Sequence, residues 1–211
     1  MFQLNNCLIR QIYYMTSSQY LEFLEKPVHK KSLPSLFGHP ILDQCSMTPW
    51  YVPGFYLILV AMTFSTLFPF IFGILFWTLY EYICHRFIFH MDIKSYSHLP
   101  VARILHFVLH GMHHVYPDDP LRLVLPPLFT LPFTYLFYIA VPHSIFSGIL
   151  FGYILYDMCH YWFHHLKDGN FWPFSTTLWK ELRRNHMTHH YSTPNKRFGV
   201  SSLLWDKVFS T

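Results

Sequence analysis

From Gln44 to Tyr80 the chain carries no charged side chain, and a second uncharged run extends from Leu123 to Tyr156. As a single helix the first run, residues 44–80, would be about 55 Å long, well beyond the roughly 30 Å hydrocarbon core of a bilayer. It must therefore break, and Pro69 within Leu67-Phe68-Pro69-Phe70 is the expected place. That gives helices near residues 51–68 and 70–89, joined by a very tight turn. The second run is expected to break at Val141-Pro142-His143-Ser144, giving helices near 124–141 and 145–164. A large soluble helical core is the alternative, but it would show polar faces at helical period, which these runs lack.

All 15 Lys and Arg lie outside both runs. The positive-inside rule then places the N-terminus, the middle segment and the C-terminus in the cytosol. The expected fold is an all-α integral membrane protein with about four transmembrane helices in two hairpins, either of which is short enough at its turn to be re-entrant. A cytosolic helical cap, residues 91–122 and 165–211, completes a membrane-embedded domain at 50–211. Within the cap, residues 93–109 and 172–190 mix apolar and basic side chains, as helices lying at an interface do. Residues 1–49 form an N-terminal approach segment, of which 16–40 reads as irregular.

Charged residues make up 12% of the chain, against roughly 25% in an average soluble domain, while 52% are hydrophobic and 20% aromatic. A net charge of +4 would suit nucleic acid only if basic and aromatic residues alternated on one surface, and here the aromatics sit in runs without Lys or Arg. Cys7, Cys45, Cys84 and Cys159 form no C-x-x-C pair, so a reducing, cytosol-facing environment is expected. The first 18 residues lack the sustained apolar core of a signal peptide.

Sixteen histidines outnumber the 11 acids, and ten of them cluster. His85 and His90 lie in HRFIFH, His110, His113 and His114 in HGMHH, His160 and His164 in HYWFH, and His186, His189 and His190 in HMTHH. Positions i, i+3 and i+4 share one helical face, so each H-x-x-H-H is expected to present three imidazoles together. His85 and His90 are about 140° apart on a straight helix and fit one site only if the helix ends or unwinds between them, near Met91-Asp92. Imidazole suits zinc, copper, iron and nickel, and ten ligands match two ions with about five nitrogens each. Paired ions of this kind can bind and activate one small molecule.

Glu81 and Asp157 stand at the inner ends of the apolar runs, where a charge is costly. Each precedes a histidine pair and is expected to accept the second ring N–H of a ligand, fixing its tautomer. His29, His39, His98, His143 and His165 read as caps or interface residues, while His106, one turn before His110, could join that face. Cys84 and Cys159 read as buried filler.

The segments EYICHRFIFHMD, HFVLHGMHHVYPDDPLRLVLPP, GYILYDMCHYWFHH and FGVSSLLWDKVF resemble the fatty acid hydroxylases of the membrane histidine-box superfamily, in particular the members that hydroxylate carbon 2. The likeness runs from about Tyr20 to Thr211. It implies that the same ten histidines bind two metal ions, with iron expected for catalysis and zinc acceptable in the isolated protein. The implied reaction is dioxygen-dependent hydroxylation of long-chain or very-long-chain fatty acids used in ceramide and sphingolipid synthesis, at the endoplasmic reticulum membrane. Many members carry a cytochrome b5 domain with a haem-binding HPGG motif; the nearest string here is Gly38-His39-Pro40-Ile41. Electrons are then expected from NADPH through a reductase and a separate cytochrome b5, the alternative being that the sequence is an isoform or a fragment of a longer protein. Arg86, Arg103 and Arg122 are candidates for contacting the carboxyl end of the substrate, or lipid phosphates. The alternatives are a sterol or carotenoid hydroxylase or desaturase of the same superfamily, and a membrane metal transporter, whose sites would lie near the bilayer midplane.

Overall fold

The computed structural model describes residues 7–166, 169 and 172–211. Part of the expected approach segment, residues 1–6, and four cap positions therefore lie outside the described residues. Among those described, every regular element is helical: α1 (Leu8–Tyr14), α2 (Ser17–Leu24), α3 (Pro40–Cys45), α4 (Leu57–Thr63), α5 (Leu67–Ile83), α6 (Ile93–Tyr96), α7 (Pro100–His106), α8 (Met112–Val115), α9 (Pro127–Ala140), α10 (His143–His165), α11 (Thr177–Tyr191) and α12 (Leu204–Phe209). A 3-10 turn, Val52–Tyr56, leads into α4, and two π-helical segments, Cys84–Phe89 and Phe107–Gly111, follow α5 and α7.

The first apolar run does not break at Pro69. The chain is extended at Phe64 and Thr66, and Pro69 lies in the first turn of α5. A proline there removes an N–H that would have had no intrahelical partner, so it starts the helix and does not end it. The actual turn is tied down by Ser144 at the start of α10, whose hydroxyl oxygen accepts the N–H groups of Ser65 and Thr66, each at 3.2 Å. The second run turns where expected, with Pro142 capping α10.

Glycine lets α5 and α10 pack backbone to backbone. A Cβ at Gly73 would sit 2.2 Å from the Ile145 carbonyl oxygen, and one at Gly148 would sit 2.0 Å from that of Phe70. Small residues allow this close approach of two helix backbones. The two long helices therefore form a stiff central pair, flanked by the shorter α4 and α9.

Among the described residues one helical stretch, Leu67–Tyr96, is long and apolar enough to cross a membrane, whereas Val52–Thr63 and Pro127–Ala140 are apolar but shorter. This differs from four equal spans. The break at residues 64–66 and the Pro126-Pro127 start trim the flanking helices. α10 has 23 residues, about 34 Å, but it carries Asp157 and four histidines.

The segment expected to be irregular contains α2. Its N-terminus is a capping box in which Thr16 Oγ1 accepts the Gln19 N–H at 3.3 Å and the Gln19 side chain accepts the Thr16 N–H at 2.9 Å. α1 and α2 bury Leu8, Ile12 and Tyr20 against Phe107 and Val115 of the cap. Tyr20 donates to the Arg103 carbonyl at 3.0 Å, which fixes the N-terminal helices to α7.

Candidate metal centre

Local helix geometry aims the histidines. His90 N–H donates to the His85 carbonyl at 3.0 Å, an i→i+5 bond within the π-helix. A π turn brings residue i+5 onto the face that i+4 takes in an α-helix. The helix thus widens where unwinding was expected, and the His85 and His90 rings lie 5.0 Å apart, close to the 5.5 Å of the α-helical pair His160 and His164.

The ten histidines converge as two groups: His85, His90, His110, His114 and His189, and His113, His160, His164, His186 and His190. Within each, the candidate ligand atoms lie within 4.8 Å of one another. Neither H-x-x-H-H triplet stays together, contrary to expectation. His110 and His114 join the first group and His113 the second, while His186 and His190 join the second and His189 the first. The reason is angular: i and i+4 differ by about 40° around a helix, but i+3 and i+4 differ by about 100°. Each group therefore takes one i,i+4 pair from one triplet and the i+3 ring from the other. His114 and His190 stack across the boundary at 4.1 Å.

The donor set fits metal ions. Nε2 atoms approach at 3.0 Å for His85 and His110, 2.9 Å for His90 and His189, 2.7 Å for His113 and His160, and 2.8 Å for His164 and His186. One proton can bridge one such pair, but it cannot serve five nitrogens. Bonds of about 2.0–2.1 Å to a central ion would place opposite ligands about 4 Å apart, within the observed spread. Burial and mutual repulsion hold His110, His113, His114, His186 and His190 well below the usual histidine range, and burial lowers His189 to about 4. The rings are thus neutral and their lone pairs available near neutral pH. The clusters suit a dimetal site with one ion per group.

A loop orients the first group. His85 Nδ1 donates to the Phe198 carbonyl at 2.5 Å and His189 Nδ1 to the Lys196 carbonyl at 2.7 Å, which leaves both Nε2 atoms free to ligate. Arg197 between them takes φ 64°, a left-handed conformation that non-glycine residues adopt at a cost. Two carboxylates grip this loop. Asp206 accepts the N–H groups of Phe198 at 2.8 Å and Gly199 at 3.0 Å, and Glu81 accepts those of Val200 at 2.7 Å and Ser201 at 2.9 Å, together with the Ser201 hydroxyl.

Glu81 therefore acts on the loop, whereas the sequence reading has it accept the ring N–H of His85, which instead goes to the Phe198 carbonyl. Asp157 likewise lies beside Tyr153 and the Leu125 backbone, and its Oδ2 has no hydrogen-bond partner among the described residues. The Nδ1 atoms of His113, His160 and His186 also lack partners there. Asp206, Phe198 and Lys196 were missed in the sequence, where a C-terminal acid and two carbonyls carry no ligand signature.

His106 stays outside both groups, with Nδ1 2.8 Å from the Tyr20 hydroxyl. His29 pairs with Asp118 at 3.0 Å, His98 Nδ1 donates to the Ser95 carbonyl at 3.1 Å, His143 and His165 stack on Tyr138 and Tyr161, and His39 precedes α3. A cavity of about 540 Å³, lined mainly by apolar side chains of α5, α9 and α10, reaches His110, His113 and His160.

The fatty acid hydroxylase family model matches residues 70–211. The chain is 36% identical to the dihydroceramide fatty acyl 2-hydroxylase FAH2 of Arabidopsis thaliana, across 99% of this chain and 92% of that protein. It is also 36% identical to the ceramide very long chain fatty acid hydroxylase scs7 of Schizosaccharomyces pombe, across 91% of this chain and 59% of that longer protein. Among solved structures, the visible hydroxylase domain of full-length scs7p matches with a TM-score of 0.81 and 35% identity, covering 100% of this chain and 85% of that one. With two five-histidine groups that meet an apolar cavity at His110, His113 and His160, a matching family model and relatives aligned along nearly its whole length, the chain belongs to the fatty acid hydroxylase family.

Proposed function

We propose that this chain hydroxylates carbon 2 of long-chain or very-long-chain fatty acyl groups carried by ceramide or dihydroceramide. The observation that carries this reading is the convergence of ten histidines, as two five-nitrogen sets, beside a mainly apolar cavity that reaches His110, His113 and His160. The ten histidines would hold two redox-active ions, for which we propose iron, and these would supply dioxygen activation and attack on an unactivated C–H bond, chemistry that acid–base side chains cannot perform. Glu81 and Asp206 keep the 196–201 loop in place so that His85 and His189 present Nε2. The apolar cavity wall aligns the acyl chain and excludes water from the reacting carbon.

The chain's outer surface supports insertion in a membrane. Phe68 is 82% exposed, Met62 77% and Leu128 65%, and such residues cover α4, α5 and α9, an apolar expanse far beyond what a monomer shows to water. We place the 50–211 domain at the endoplasmic reticulum membrane, its apolar helices inserted as two unequal hairpins and its cap, with residues 1–49, on the cytosolic side. A separate cytochrome b5 and its reductase would deliver electrons from NADPH there. The histidines sit at helix ends and in the cap, which disfavours a midplane transport site.

Lipid profiling of cells expressing the wild type or His189→Ala tests the reading. The wild type should accumulate 2-hydroxylated ceramides and the variant should not; equal levels would sink the proposal.

A further inference from the structure

Arg86, Arg103 and Arg122 are the candidates for the polar end of the substrate, and their partners separate them. Arg103 is fully engaged, donating to the carbonyls of Ile12 at 3.2 Å, Ser97 at 2.5 Å and Tyr13 at 2.8 Å. Arg86 donates to the Tyr82 hydroxyl at 2.8 Å and lies over the Phe87 ring. Arg122 differs from both. Its side chain is 3% exposed, its Nη1 donates to Asp119 Oδ2 at 3.0 Å and its Nε to Ser46 Oγ at 3.2 Å, yet its Nη2 has no hydrogen-bond partner among the described residues. Arg122 lines the same cavity as His110, His113 and His160.

The guanidinium cannot turn to find another partner. Asp119 is itself fixed, accepting the N–H of Leu33 at 2.8 Å and that of Leu121 at 2.9 Å. Two edges of the planar fork are thus locked, and Nη2, buried in the part of the cavity wall that Arg122 forms, is left without an acceptor among the described residues. A buried, charged donor without an acceptor is costly, so such a group commonly marks the place of a ligand oxygen.

We propose that Arg122 Nη2 donates to the C1 carbonyl oxygen of the acyl substrate, holding the adjacent carbon 2 at the dimetal site and so setting the position of hydroxylation. This inference rests on the 2-hydroxylase reading. The Arg122 charge is already matched by Asp119, so a free carboxylate would bring an unpaired negative charge into an apolar site. An uncharged carbonyl, as in an N-acyl sphingoid base, meets the donor without that penalty.

The test uses the full chain in detergent or nanodiscs, with its electron-donating system and either an N-acyl sphingoid base or the free fatty acid of the same length. KM, kcat, product regiochemistry and metal per chain are measured for the wild type, Arg122→Lys and Arg122→Gln. Lysine keeps a charge for Asp119 but lacks the planar fork. The proposal expects wild-type preference for the N-acyl substrate and 2-hydroxy product alone. It expects both variants to retain two metals per chain while KM rises by roughly 10-fold or more and 3-hydroxy product appears. Unchanged KM with 2-hydroxy product alone in both variants would overturn it, as would loss of metal in both, which would mean that Arg122 only supports the fold. Wild-type turnover of the free acid equal to that of the N-acyl substrate would overturn the choice of substrate class. A wild type that makes no 2-hydroxy product from either substrate would fail the 2-hydroxylase reading itself, before any variant is considered.

Discussion

Both histidine groups draw a pair from the end of a long helix, an i,i+4 pair from one cap triplet and a single ring from the other, but different structures hold them. In the group around His110, π-helical turns aim His90 and His110, and the 196–201 loop braces His85 and His189. In the group around His113, four of the five rings come from the uninterrupted α10 and α11, and the Nδ1 atoms of His113, His160 and His186 have no partner among the described residues. The second group is set mainly by the geometry of its helices, with the Leu123 backbone beside His160. The first depends on two carboxylates, one of them on α5 more than a hundred residues from the loop it grips. Exchange of single rings between the groups joins them, so neither half can form its complete site without the other.

The largest effect should be common to both groups. His110→Ala and His160→Ala should each lower turnover by roughly 100-fold or more, since even outer partners of ligands cost 10–100-fold, and each should remove one of two metal equivalents. Product analysis with metal counting checks this; a variant that keeps full turnover with one ion would break the pairing of the groups.

The next effect should divide them. Glu81→Gln and Asp206→Asn should weaken metal binding in the first group alone, by about 10–100-fold. Chelator titration should then become biphasic, with one ion released early and the other at its wild-type position. Simultaneous release of both would show that the loop braces the whole centre.

A smaller and symmetric loss is expected from the helix pair. Gly148→Ala places a Cβ 2.0 Å from the Phe70 carbonyl oxygen, and overpacking of this kind costs about 1–3 kcal/mol. Because α5 and α10 carry one pair for each group, thermal stability and both metal affinities should fall together, as read by melting and by the same titration.

The smallest effect marks where the first group ends. Burial lowers His106 to about 4, and its ring contacts Tyr20, not the clustered Nε2 atoms. Between pH 6.5 and about 4 the unfolded chain binds a proton at this residue that the folded chain excludes, so its contribution to stability falls as pH falls through that window. His106→Gln should make that part of the stability profile shallower by the share of this one proton, the other buried histidines still contributing, and leave two metals per chain at neutral pH. Loss of an ion from this variant would place His106 inside the first group.

The ten histidines were legible because their spacing is a local property of helices, and resemblance to the family named the same residues. Their division was less legible. Splitting a triplet between two ions depends on where facing helices lie, and the π turns that correct the His85 to His90 spacing have no sequence mark beyond the five-residue gap itself. The break at residues 64–66 depends on Ser144, nearly eighty residues away, whereas Pro69 carried a strong local signal for the wrong event. α2 could have been found, since Thr16 and Gln19 stand at capping-box spacing. The loop that braces His85 could not, because the atoms that accept from the rings are backbone carbonyls.

Anomalous scattering from crystals of the metal-loaded protein tests the central claim most directly. The account predicts two ions per chain, one ringed by His85, His90, His110, His114 and His189 and the other by His113, His160, His164, His186 and His190. A single ion, or two ions each held by an undivided H-x-x-H-H triplet, would contradict it.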